Sequence, residues 1–257
     1  GGNILDLDQH TDSVKQKFYM RVSWDLNQFD LESNEVEDSF KKELGDPFEM
    51  NWSLHFTQKR LKLALFVSKQ QHCLFDILAR WQTKEWNVDI PLIISNHQEA
   101  EDTAQKFGIE FHHIPITKEN KEDQEKLQIE LLKEKGVDLI VLARYMQILS
   151  PSFIEEFRNK VINIHHSFLP AFPGARPYHS AYERGVKIIG ATSHYVTEHL
   201  DEGPIIEQDI VHVTHRDEVT SLVRKGRDLE TLVLSRAVWK HIQRKTLVTA
   251  NRTIIFN

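Results

Sequence analysis

Beyond residue 60 the chain alternates between short continuous apolar runs and stretches whose apolar residues recur at helical spacing. Leu61–Val67, Val88–Ile94 and Asp138–Ala143 suit strands covered on both faces, and shorter strands are predicted at Glu110–Ile114 and Val161–Ile164. Helices are predicted between them at Leu74–Trp81, Ala100–Phe107, Gln124–Lys135 and Ser152–Arg158, the third ended by Gly136 as a C-cap. Repetition of strand and helix gives crossover connections and a mostly parallel, Rossmann-like sheet of the α/β class. Ligands on such sheets gather at the carboxyl ends of the strands, where Asn163, His165 and His166 fall. Two later strands, Gly190–Val196 and Ile205–Gln208, flank a turn that closes on Gly203-Pro204. A last helix is predicted at Asp228–Arg244.

Residues 1–57 follow another pattern. Asn3–Asp8 and Lys17–Trp24 alternate as the arms of a hairpin. Val36, Phe40 and Leu44 then lie at helical spacing behind Asn34 as N-cap, and Asn51–Phe56 returns to strand. The order ββαβ makes a small α+β domain at 1–57, ahead of a larger domain at 58–257.

Composition narrows the functions. With 32 basic and 38 acidic residues the net charge is -6, which argues against a phosphate-binding surface for nucleic acid. One cysteine, Cys73, excludes an internal disulfide framework. No apolar run approaches the ~20 residues of a membrane span, and no secretion signal opens the sequence. A reducing, cytoplasmic setting is expected.

Fourteen histidines invite a metal, yet patterns such as H-E-x-x-H are missing, and the adjacent pairs His112-His113 and His165-His166 point apart if extended. No metal is expected. Ser167 and Ser180 lack a nucleophile elbow, and Cys73 at a helix start reads as packing. There remains a histidine working with an amide and a carboxylate. Asp201, on the turn after Gly190–Val196, is a candidate base or histidine-orienting group, and equally a turn former.

Asn163-x-His165-His166-Ser167-Phe168-Leu169-Pro170, then His194, then Asp201-x-Gly203-Pro204-Ile205-Ile206, resembles the catalytic signature of the formyltetrahydrofolate-using hydrolases and transferases. The longer match, N-I-H-H-S-F-L-P-A-F with G-A-R-P-Y-H-S-A-Y-E-R-G-V-K-I-I-G-A-T-S-H-Y-V, is similar to the 10-formyltetrahydrofolate deformylase family in particular. The resemblance covers about Leu61 to Phe256 and implies a formyltransferase fold. It implies Asn163, His165 and Asp201 as the catalytic set: the amide and imidazole stabilise an oxyanion at the formyl carbon, and Asp201 assists as base to the attacking water. The folate would be bound by Arg144, Tyr145, Met146, Gln147 and Leu149, with His166, Val196, Thr197, Glu198 and Leu200. Without the resemblance, Tyr145, Met146 and Leu149 read as ordinary core. No cofactor is implied, because 10-formyltetrahydrofolate is the substrate. His179, His194 and Arg176 lie inside the matched motif without assigned roles.

The family also carries an N-terminal ACT domain, and residues 1–57 resemble its second part, lacking the first strand and helix. That implies an amino-acid effector and a homo-oligomer. Two alternatives stand beside hydrolysis. One is formyl transfer to glycinamide ribonucleotide, whose enzyme uses a glycine-rich phosphate loop; here the equivalent stretch, Val67–Leu74, contains no glycine. The other is a non-catalytic regulator that binds folate or an amino acid.

Overall fold

The structure is a computed structural model, and it describes residues 2–27, 29–171 and 177–257. It divides into two compact units, the first reaching to Lys59 with Phe256–Asn257 and the second spanning Arg60–Ile255. No helix among the described residues is long and apolar enough to cross a membrane.

In the first unit β1 (Asn3–Asp12) and β2 (Lys17–Asp25) form the expected antiparallel hairpin, with a register shift between Ile4 and Asp6. The predicted helix covers its three apolar positions, Val36, Phe40 and Leu44, but not as one regular α-helix. It comprises α1 (Val36–Phe40) and one wider π turn over Lys41–Gly45, and its N-cap is Glu35, without a side-chain cap bond, rather than Asn34. Asn51–Phe56 is not a strand. The only sheet described in this unit has two strands, and an alternating segment without a ladder partner leaves its backbone groups to water or to side chains.

The second unit is built on a seven-stranded sheet in the order β5-β4-β3-β6-β7-β8-β9. Its strands are β3 (Leu61–Val67), β4 (Val88–Ser95), β5 (Glu110–His113), β6 (Leu139–Ala143), β7 (Val161–His165), β8 (Ile188–Tyr195) and β9 (Ile205–His212). The first five run parallel and the last two pair antiparallel. Alternate strand residues feed two cores. Leu63, Leu65 and Val67 pack with α2 (His72–Gln82) and α7 (Val219–Ile242), while Ala64 and Phe66 pack with α4 (Lys121–Lys135) and α5 (Pro151–Glu156). Each wholly buried Leu, Ile or Phe contributes about 1.5–3 kcal/mol over exposure, so the central strands read as unbroken apolar runs. Helix α3 (Glu101–Phe107) and α6 (Pro177–Arg184) complete the layers, and a hairpin of β10 (Thr246–Thr249) and β11 (Arg252–Ile255) follows α7.

Two helices differ from their predicted bounds for visible reasons. Helix α5 starts one residue earlier, because the Ser150 hydroxyl accepts the Phe153 N–H and Pro151 occupies the first turn. Helix α7 starts nine residues before Asp228. Gly226, a helix breaker by propensity, sits inside it because a Cβ there would lie 2.1 Å from the Tyr178 hydroxyl.

Candidate active site

Strand β7 presents its residues alternately. Ile162 and Ile164 enter the core under α7, which leaves Asn163 and His165 side by side on the other face. The reversal at β8 sets His194 directly opposite Asn163 in the ladder. The Asn163 amide nitrogen lies 3.3 Å from His194 Nε2, and His194 Nδ1 lies 2.9 Å from the Tyr195 carbonyl. A carbonyl only accepts, so Nδ1 donates to it, and Nε2 is the nitrogen that faces the Asn163 amide.

The turn after β8 folds back over this face and brings in Asp201. Its carboxylate lies 3.2 Å from His165 Nδ1 and 3.6 Å from His194 Nε2. Burial alone would raise the Asp201 carboxyl, but hydrogen bonds from His165 and His194 outweigh it and hold the group well below the usual carboxylate range. Asp201 takes a left-handed backbone, φ 57°, a conformation that Asp tolerates better than most residues. Gly203 is required for another reason: a Cβ there would meet the Tyr195 carbonyl oxygen at 1.7 Å. Tyr195 is fixed in turn by its hydroxyl, which lies 2.7 Å from His241 Nδ1 and 2.8 Å from the Thr246 hydroxyl. The three residues singled out in the sequence, Asn163, His165 and Asp201, thus meet, and His194 joins them. Its place in the β8 alternation, facing Asn163, is the signal that a strand-pairing argument needs, and spacing along the sequence does not supply it.

His165 Nε2 is buried and has no partner among the described residues. A satisfied interior leaves few such atoms, and here the orphan belongs to a ring whose other nitrogen faces the Asp201 carboxylate. An unpartnered imidazole nitrogen and an amide donor on one face of a strand are the kinds of group that suit a developing oxyanion.

The remaining candidates spread over both loops. Tyr145 and Leu149 belong to the core with Phe66 and Phe153, and the Tyr145 hydroxyl accepts from Gln128 Nε2 at 3.2 Å. Met146 is exposed, and its N–H donates to the Ser68 hydroxyl. Gln147, Val196 and Thr197 are half-buried, and Glu198 and Leu200 are exposed. Arg176 lies outside the described residues.

Arg144 turns inward. Its backbone is left-handed, φ 64°, its side chain is buried, and Nε lies 3.4 Å from Glu230 Oε2. Glu230 also accepts from His72 Nε2 at 2.8 Å and from the Tyr178 hydroxyl at 2.5 Å. Burial would raise its carboxyl, yet His72, Arg144 and Tyr178 together bring it below its ordinary value. His72, Cys73 and Glu230 have metal-ligand atoms within 4.8 Å of one another. They do not fit a cation: the carboxylate is already occupied by three donors, one of them a guanidinium, and burial pushes the Cys73 thiol far above its ordinary range. His166 packs between His165 and Tyr178, with ring centroids 5.2 and 6.1 Å away.

A model of the formyl transferase family matches residues 61–238. A formyltetrahydrofolate deformylase of Synechocystis is 56% identical over 99% of this chain and 89% of its own length. This chain belongs to the formyltetrahydrofolate deformylase family. The crystal structure of the deformylase of Pseudomonas syringae pv. tomato superposes with a TM-score of 0.97 at 41% identity, covering 100% of this chain and 86% of that one. A glycinamide ribonucleotide transformylase of Symbiobacterium toebii shares the fold more distantly, with a TM-score of 0.73 at 28% identity over 81% of this chain and 99% of its own. The deformylase family and its transferase neighbours therefore share one scaffold, and the site must distinguish them.

Proposed function

We propose that the protein hydrolyses 10-formyltetrahydrofolate to tetrahydrofolate and formate, with Asn163, His165 and Asp201 at the reacting carbon. The observation that carries this reading is the orphaned Nε2 of His165, with Asp201 on the opposite ring nitrogen and Asn163 two residues earlier on the same face of the strand. Water bonds to the formyl carbon, and the carbonyl pair moves onto oxygen. Imidazolium and amide N–H groups stabilise that charge, and Asp201 keeps the imidazolium paired and accepts the proton lost by water. Collapse breaks the bond to N10, which takes a proton, and formate leaves. The roles of all three groups are met without a metal, so prolonged chelation should leave turnover unchanged.

Water is favoured over an amine acceptor by the loop after β3. Three of its polar side chains are bonded within the protein: the Ser68 hydroxyl donates to Asn96 Oδ1 at 2.6 Å, Gln71 donates to the Glu99 carbonyl, and His72 is tied to Glu230. The stretch also lacks the glycine that lets a backbone approach a phosphate closely. Formate release without any added amine tests the reading, and strict dependence on glycinamide ribonucleotide would overturn it. His165→Ala should abolish release while the fold is retained.

The folate is expected to lie against the segments 144–149 and 196–201. The first unit is proposed to be an ACT-like regulatory module, supported by its hairpin and following helix, and a homo-oligomer is proposed with it. Titration calorimetry with individual amino acids checks the effector, and absence of heat with all of them removes it.

A further inference from the structure

The order of the sheet places its topological switch between β3 and β6: the chain lays down β3, adds β4 and β5 on one side, then returns to add β6 on the other. Ligands of open α/β sheets bind at the carboxyl ends of the strands that flank such a point. Segment 144–149 leaves β6 there without helix or strand of its own, so side chains must fix its course. Strand β6 alternates, with Leu142 entering one core and Ala143 the other, under α7. Continued alternation would carry Arg144 to the Leu142 side. Instead Arg144 reaches Glu230 on α7, beside Leu229 and Val233 of the Ala143 core, and Tyr145 enters the core of Leu142. The left-handed backbone of Arg144, φ 64°, makes this inversion. Such a conformation is unfavourable for a residue with a Cβ and persists only where the surroundings impose it. The Glu230 carboxylate is 1% exposed, lies 3.4 Å from Arg144 Nε, and is itself held by His72 and the Tyr178 hydroxyl.

We propose that Glu230 is a positioning residue for substrate binding: by holding Arg144 on the α7 side it fixes the left-handed turn, and with it the face that each side chain of 145–149 presents. This rests on the hydrolytic reading above, in which the folate lies against that segment, and adds the group that shapes it. With the turn in place Tyr145 and Leu149 are buried, while Met146 and Ile148 are left 55% and 59% exposed, an apolar surface suited to a flat ring system. An extended backbone at Arg144 would shift the alternation by one residue and turn Tyr145 out of its core. Farther along, the segment is tied down by the Met146 N–H to the Ser68 hydroxyl and the Ser150 N–H to Glu125. Glu230 acts through Arg144 and not on the reacting carbon, so its contribution is to affinity.

The test is the KM for 10-formyltetrahydrofolate in Glu230→Gln, which keeps the shape and removes the charge that holds Arg144; folding is checked by near-UV circular dichroism. KM is expected to rise about tenfold with kcat within about threefold of the parent protein, the pattern of lost ground-state binding. The readout that a merely structural role would not move is the same substitution in an Arg144→Gly background. Glycine adopts the left-handed turn without a partner, so there Glu230→Gln should change KM less than about twofold. A loss transmitted through His72 or Tyr178 would persist in that background and would overturn the proposal. An unchanged KM in E230Q, or a kcat lowered more than about threefold, overturns it as well. If E230Q does not fold, Arg144→Ala is compared with Arg144→Gly. Alanine has neither the ion pair nor the freedom of glycine, and its KM should be at least about fivefold higher; equal values overturn the proposal. The hydrolytic reading fails separately, if the parent protein releases no formate without an amine acceptor. KM is then read with that acceptor present, and the comparison still decides the role of Glu230.

Discussion

Replacing Gly203 by alanine should disable the site without touching any group proposed to act in it. The added Cβ would lie 1.7 Å from the Tyr195 carbonyl oxygen, a backbone atom, where ordinary contact begins at 3.4 Å. Neither segment can rotate away, because the Tyr195 N–H also bonds to the Pro204 carbonyl at 2.9 Å. The turn must therefore lift by about 1.7 Å, the difference between the two contact distances. Asp201 lies two residues upstream, and its 3.2 Å contact to His165 would pass beyond hydrogen-bonding distance. A misplacement of about 1 Å in a catalytic constellation costs on the order of 100-fold, and overpacking of this kind costs about 1–3 kcal/mol in stability. Formate release and thermal unfolding measure the two effects. Gly108→Ala is the control: its Cβ meets nothing, although φ is +68°, so it should lose about 1–2 kcal/mol with turnover unchanged. Parent-like turnover and stability in Gly203→Ala would refute the argument that this close approach positions Asp201.

Glu230→Gln removes the counter-charge of buried Arg144, and breaking a buried pair costs about 3–5 kcal/mol, readable as a lower denaturant midpoint. Asp201→Asn should lose nearly all turnover yet remain folded. The Asp201 carboxyl is depressed below its ordinary 3.8, so its contribution to stability is present above that value and is lost as pH falls through the depressed one. The stability gap between the parent protein and Asp201→Asn, followed by urea unfolding, should therefore be widest near neutrality and should shrink in strong acid. Cys73, buried with its thiol pushed upward, should resist thiol reagents such as dithionitrobenzoate until the protein unfolds.

Much of the second unit was legible in the sequence because its strands are covered on both faces. Leu61–Val67 and Leu139–Ala143 have no polar face to blur their limits. Legibility failed where a residue serves a distant partner. Gly226 hid the first turns of α7, because its use is to admit the Tyr178 ring. Asn51–Phe56 alternates convincingly, yet alternation states only what a strand would bury and cannot supply a neighbour. The candidates Asn163, His165 and Asp201 were singled out through their resemblance to known motifs, and the contacts that join them were not. Nothing near Arg144 in the sequence announces Glu230, eighty-six positions later, and His194 acquires its relation to Asn163 only when β8 reverses.

That reversal also divides the site by how readily its members can move. Asn163, His165 and His194 are rungs of a paired sheet, and displacing any of them means unpairing a strand. Asp201 sits on a turn and is held by side-chain contacts and one tight backbone approach. The negative charge is thus the one part of the constellation whose place is set outside the sheet, by two histidine contacts and the Gly203 approach.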